Sequence, residues 1–133
     1  MESAKRRILC VDENEDNLEL ITITFEQEGF EVITCCSLEE CLSYARENEF
    51  AAIILNNRFG NVTSLDVCRE ISVFSPNTPI IFCSGEARKA EIAKAIEAGG
   101  DKYFVKPVDF DKLADAVKEL ITEAQTVGEP PQE

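Results

Sequence analysis

Four apolar runs in the 133-residue chain end in side chains able to do polar chemistry. RILCV leads into Asp12 and Glu13, AAIIL into Asn56 and Asn57, PIIFC into Ser84 and Gly85, and KYFV into Lys106 and Pro107. Adjacent carboxylates concentrate negative charge at one point. The amide at position 56 is of another kind, because its oxygen is neutral and only weakly nucleophilic. Taken singly, each residue has an ordinary explanation: an Asp after a strand caps the next helix, Ser-Gly makes a turn, and Lys-Pro ends a run. A site is expected because all four would meet at one edge of a sheet.

The elements that would bring them there are legible as a strict alternation. Arg7–Val11, Glu31–Cys35, Ala51–Leu55, Pro79–Cys83 and Lys102–Val105 read as strands, three of them almost wholly apolar, as buried parallel strands should be. Helical stripes lie between and after them: Leu18, Ile21 and Phe25; Leu38, Cys41, Leu42 and Ala45; Leu65, Cys68 and Ile71; Ile92, Ala95 and Ile96; Leu113, Val117, Leu120 and Ile121. Ser37 and Glu40 have the spacing of a capping box, Gly29 and Gly99-Gly100 close helices, and Pro76 and Pro79 flank a turn. Such alternation demands a parallel sheet with helices on both faces, and ligands then bind at the carboxyl ends of the strands. The expected domain covers residues 1–125. The stretch from Thr126, TVGEPPQE, has no apolar period and is expected to be a disordered tail or the start of a linker.

Composition narrows the function classes. Twenty-six acids against thirteen bases give a net charge of −13, which repels a phosphate backbone and argues against direct nucleic-acid binding. Part of the acidity, at Glu26, Glu28, Glu39, Glu40, Glu47 and Glu49, belongs to solvated helix faces and ends. No apolar run is long enough for a membrane span, and the opening MESAKRRILC lacks the apolar core of a signal peptide, so a cytoplasmic location is expected. The six cysteines include no Cys-x-x-Cys pair and there is no histidine, which removes the usual zinc and haem ligands. They are expected to be reduced core residues, with one exposed thiol possible at Cys35 or Cys36.

With those elements in place, ILCVDEN at 8–14, FAAIILN at 50–56, PIIFCSG at 79–85 and AGGDKYFVKPVD at 98–109 are similar to the receiver domain of bacterial two-component response regulators. The resemblance runs from about Lys5 to Ala124. It implies a flavodoxin-like (βα)5 fold of α/β class, doubly wound, with strand order 2-1-3-4-5 and a cis bond between Lys106 and Pro107. It implies that position 56 is the phosphoacceptor and that Asp12, Glu13, residue 56 and the backbone carbonyl of Arg58 hold Mg2+. It further implies a phosphate contact at Ser84, an ammonium at Lys106 and an aromatic switch residue at Tyr103. Partners would be a histidine kinase or a downstream output protein, with a possible homodimer through helix 4, strand 5 and helix 5, a face carrying Lys89, Lys94, Tyr103, Asp111 and Lys118.

Asn56 departs from that pattern at its chemical centre. An amide cannot form the acyl phosphate, and removing one unit charge about 4 Å from a cation forfeits roughly 4 kcal/mol before solvent compensates. Mg2+ binding is expected to be possible but weakened, and Lys106 is expected to pair with Asp12. Asn57 offers no replacement nucleophile, and Asp66 falls on the following helix. Where the family commonly has Met-Pro and, later, Gly, the loop has Phe59, Gly60 and Ser64; Gly60 suits a tight turn, and Thr63 or Ser64 a helix cap. The leading expectation is a receiver-like domain that is not an enzyme and acts by protein contact. The alternatives are an ordinary phosphorelay regulator whose acceptor Asp has been replaced by Asn, and, more remotely, a flavodoxin-like ligand binder or enzyme. The last lacks a glycine-rich phosphate loop and the aromatic content that flavin stacking favours.

Overall fold

The computed structural model describes residues 6–128, with side chains through Ala124. Five parallel strands form the central sheet: β1 (Arg7–Val11), β2 (Glu31–Cys35), β3 (Ala52–Leu55), β6 (Ile80–Ser84) and β7 (Lys102–Val105), in the order β2-β1-β3-β6-β7. A two-stranded hairpin, β4 (Arg58–Phe59) and β5 (Val62–Thr63), is inserted after β3. With the hairpin set aside, the order is the 2-1-3-4-5 of a flavodoxin-like sheet. The helices are α1 (Glu15–Gln27), α2 (Leu38–Glu47), α3 (Leu65–Phe74), α4 (Lys89–Glu97) and α5 (Phe110–Gly128).

Each central strand sends alternate side chains to opposite faces, so its apolar run serves two cores. Leu9, Val11, Ile53, Leu55, Ile80 and Phe82 pack with α2, α3 and α4, whereas Ile8, Cys10, Ala52, Ile54, Ile81 and Cys83 pack with α1 and α5. Burying one such Leu or Ile is worth about 1.5–3 kcal/mol, which is why the three inner strands tolerate almost no polar residue. Among the described residues no helix is long and apolar enough to cross a membrane.

Helix boundaries follow their caps. Asn14 caps α1 by accepting from the Asn17 amide at 3.1 Å, and Ser37 caps α2 by accepting from Glu40 at 3.1 Å. Ser64 occupies the cap position of α3 but its hydroxyl makes no cap bond. Gly60 turns the hairpin at φ 62°, a backbone region that side-chain-bearing residues avoid. α5 continues past the expected boundary at residue 125 to Gly128, since a helix extends by backbone bonding without needing an apolar stripe in its last turn. The rest of the expected tail, 129–133, lies outside the described residues.

All six cysteines are free, five buried and Cys36 exposed. Burial pushes the Cys10 thiol well up and raises Cys68 and Cys83 to about 11; partial desolvation, then the charge of Glu15, also raises Cys36. A colorimetric thiol reagent at neutral pH should therefore titrate one thiol in the folded protein and six after denaturation. A second native equivalent would contradict the packing described above.

Candidate functional site

Strand register carries the polar residues to one edge of the sheet. Val11 pairs with Leu55, so Asp12 and Asn56 follow side by side; Ser84 pairs with Val105, so Lys106 follows next to Ser84. Backbone bonds continue that alignment beyond the strands, from Asn56 N–H to the Val11 carbonyl at 3.1 Å and from Lys106 N–H to the Ser84 carbonyl at 2.8 Å. The peptide bond between Lys106 and Pro107 is cis.

Asp12 is the centre of the arrangement. It is only 3% exposed, and a buried carboxylate must be paired or hydrogen-bonded. Lys106 supplies the pairing, its Nζ donating to Asp12 Oδ2 at 2.6 Å, as expected from the absence of an acid at position 56. The Asn14 backbone N–H donates to Asp12 Oδ1 at 3.0 Å, and Asn56 Nδ2 makes a long contact to the same oxygen at 3.5 Å. Asn14, not Asp12, caps α1, so the cap explanation of Asp12 does not hold.

Asn56 Nδ2 also donates to the Arg58 carbonyl at 2.9 Å. Both neighbours of the amide are acceptors, which fixes the nitrogen rather than the oxygen towards them. A proton donor thus stands between the Asp12 carboxylate and the Arg58 carbonyl. Glu13 lies exposed, outside these contacts. No group of three His, Cys, Asp or Glu side chains suited to a metal is found among the described residues. Lys106 neutralises the Asp12 carboxylate, and the Asn56 amide faces the Arg58 carbonyl with its nitrogen.

The opposite wall of the crevice joins Ser84, Asn57, Arg58 and Tyr103 to Glu86 and Arg88, two residues that no motif in the sequence marks. Ser84, 1% exposed, accepts from the Glu86 amide through Oγ at 3.2 Å, which makes the Ser-Gly turn and the candidate site one feature. The Glu86 carboxylate is held by Arg88 at 2.8 Å and by Arg58 at 3.3 Å. Those bonds, Arg88 first, hold its carboxyl down at about 2, well below the usual range. Tyr103 stacks its ring on Phe82 at 5.6 Å and 9°, and its hydroxyl donates to the Glu86 carbonyl at 2.8 Å. Asn57, 1% exposed, donates to the Tyr103 hydroxyl at 3.3 Å. The signal for Glu86 in the sequence was slight, an acid flanked at two residues by an arginine.

The residues expected on one exposed face do not all share it. Tyr103 is turned inward and half-buried, and Lys118 is drawn to the α1 side by its ion pair with Glu28 at 2.5 Å. Lys89 and Lys94 remain exposed on α4, and Asp111 is exposed at the start of α5. Asp66 opens α3 and pairs with Arg69 at 2.9 Å on the surface, away from Asp12.

Comparison with known proteins bears on this geometry. Residues 8–118 match the family model of the response regulator receiver domain. The chain belongs to that family. Curated relatives include the transcriptional regulatory protein ZraR of Salmonella typhimurium, 23% identical over 91% of this chain and 27% of its own length. Another is the DNA-binding response regulator MtrA of Mycolicibacterium smegmatis, 26% identical over 89% of this chain and 51% of its own length. The chain therefore spans about a quarter to a half of these relatives. Among solved structures, a CheY-like receiver domain protein from Methanospirillum hungatei superposes with a TM-score of 0.88 at 24% identity, covering 92% of this chain and 98% of that one. A receiver domain protein from Clostridium thermocellum gives 0.83 at 26%, covering 91% and 98%. Receiver domains are signalling domains of two-component systems that typically bind Mg2+ at the acceptor site, and this chain has their fold.

Proposed function

We propose that this receiver domain signals through protein contacts without accepting a phosphoryl group at Asn56. One observation carries the reading: the Asn56 amide nitrogen is bonded to the Arg58 carbonyl at 2.9 Å, where an acceptor carboxylate would need a cation between the same groups. A neutral amide is also a poor nucleophile towards phosphorus, so the site loses both its reactive atom and part of its attraction for Mg2+. Lys106 neutralises Asp12 internally, and the crevice needs no cation to be satisfied.

The partners under this reading are a histidine kinase or an output protein. The surface of α4, β7 and the start of α5 is the favoured contact face: Ile96 and Val105 stand 43% and 39% exposed there, beside Lys89 and Lys94. The net charge of −13 argues against this domain itself touching nucleic acid. The folded domain extends through α5, and a second copy at the same face is the simplest assembly.

A phosphorelay regulator with a replaced acceptor is supported by the survival of Asp12, Ser84 and Lys106 around Asn56. Intact-mass measurement tests the chemistry common to both readings. Incubated with a small acyl-phosphate donor and Mg2+, the chain is expected to keep its mass, and a stable gain of about 80 Da would refute the loss of acceptor function.

A further inference from the structure

Asn57 has a contact that its surroundings do not otherwise require. Its side chain is buried at 1% exposure, its Nδ2 donates to the Tyr103 hydroxyl at 3.3 Å, and its Oδ1 has no hydrogen-bond partner. A buried amide with an orphaned oxygen is unfavourable compared with an apolar residue of the same size. The bond to Tyr103 is the side chain's compensation.

Tyr103 in turn holds the loop between β6 and α4. Its hydroxyl donates to the Glu86 carbonyl at 2.8 Å, while Arg58, the neighbour of Asn57, binds the Glu86 carboxylate at 3.3 Å. Two adjacent residues after β3 thus grip both ends of Glu86, one of them through the tyrosine. The stacking of Tyr103 on Phe82 sets the ring plane, but only hydrogen bonds at the hydroxyl tell the ring how deep to sit.

We propose that Asn57 is a positioning residue that holds Tyr103 inward, and with it the loop from Ser84 to Arg88, in one conformation without any phosphoryl group. The surface offered by α4 and β7 is then constant. This rests on the reading of the domain as a contact module with no working acceptor, and it specifies how that module is kept in a single state.

The chain contains two tyrosines, Tyr44 and Tyr103, and no tryptophan, so a Tyr44→Phe background leaves Tyr103 as the only emitter of its kind. Adding Asn57→Leu to this full chain should raise acrylamide quenching of Tyr103 and speed amide exchange at residues 86–88 about fivefold, the effect of losing one neutral hydrogen bond. In the Tyr103→Phe background the same Asn57→Leu change should leave that exchange unaltered, because the hydroxyl through which Asn57 acts is gone. Unchanged quenching, or an equal exchange effect in both backgrounds, would overturn the proposal. If Asn57→Leu does not fold, Asn57→Ser replaces it in both backgrounds: faster exchange at 86–88 only where Tyr103 is present is expected, and an unchanged rate or an equal effect in both would overturn the role of Asn57. Mass measurement of the same samples after phosphodonor treatment keeps the two readings separate, since an adduct would sink the loss of acceptor function and leave the role of Asn57 to the exchange data.

Discussion

Asn56→Asp is expected to turn the domain into a phosphoryl acceptor, gaining about 80 Da from a small acyl-phosphate donor when Mg2+ is present and nothing in a chelator. A carboxylate oxygen would bond to phosphorus as the donor's acyl oxygen leaves, with Lys106 and Ser84 beside it at the same sheet edge. The cost should be visible before any chemistry. Where Nδ2 now donates to the Arg58 carbonyl at 2.9 Å and approaches Asp12 Oδ1 at 3.5 Å, the variant would oppose oxygen to oxygen. Two unit charges about 4 Å apart repel by roughly 4 kcal/mol at an effective dielectric near 20, and solvent with Lys106 should reduce this to about 1–2 kcal/mol of lost stability. Mg2+ should restore it, a saturating cation at a hundred times its Kd being worth about 2.7 kcal/mol. Thermal unfolding of the parent and the variant, with and without Mg2+, gives the comparison. A variant that neither gains mass nor shifts with Mg2+ would mean that more than residue 56 has been lost, and the Glu86 clamp over Ser84 would be the first place to look.

The positions that could be read from the sequence are those set by strong, repeated signals. Alternation of buried runs with amphipathic stretches is one; it yielded five parallel strands with ligand sites expected at their carboxyl ends, and the family resemblance added the order 2-1-3-4-5. The pairing of Lys106 with Asp12 was also legible, because an unopposed ammonium and a buried acid at one sheet edge have few other solutions. Hairpin β4–β5 was not, since strands of two residues have no period to detect. Nor was the inward turn of Tyr103, which depends on hydroxyl partners 46 positions away at Asn57 and 17 away at Glu86. Asn56 and Asn57 look alike in sequence, yet one faces the crevice and the other the interior, as successive residues leaving a strand do. Lys118 was assigned by its place in α5 to a face it leaves for Glu28, a choice made by a long flexible side chain rather than by the backbone.

Lys106→Met should be among the most destabilising single polar substitutions in the domain, because it removes the cation from a carboxylate that is 5% exposed. Breaking a buried pair from one side costs about 3–5 kcal/mol. The lower end applies, since Lys106 itself is 22% exposed and water can approach the gap, and since Asn14 still donates to the other oxygen at 3.0 Å. Methionine keeps the length of the aliphatic stem, so the loss would report charge rather than packing. Urea unfolding should show a lower midpoint with an unchanged slope. Adding Asp12→Asn should recover at least about 1.5 kcal/mol of the loss, since the orphaned charge goes with it. No recovery would show that Lys106 stabilises the loop by some route other than Asp12. Lys118→Met supplies the contrast: its bond to Glu28, 2.5 Å long, is as short as that of Lys106, but the two side chains are 42% and 37% exposed. Water screens an exposed pair and replaces a lost partner, so that variant should unfold close to the parent. Two ion pairs of nearly equal length should thus differ widely in consequence, and burial, not distance, decides which one the fold depends on.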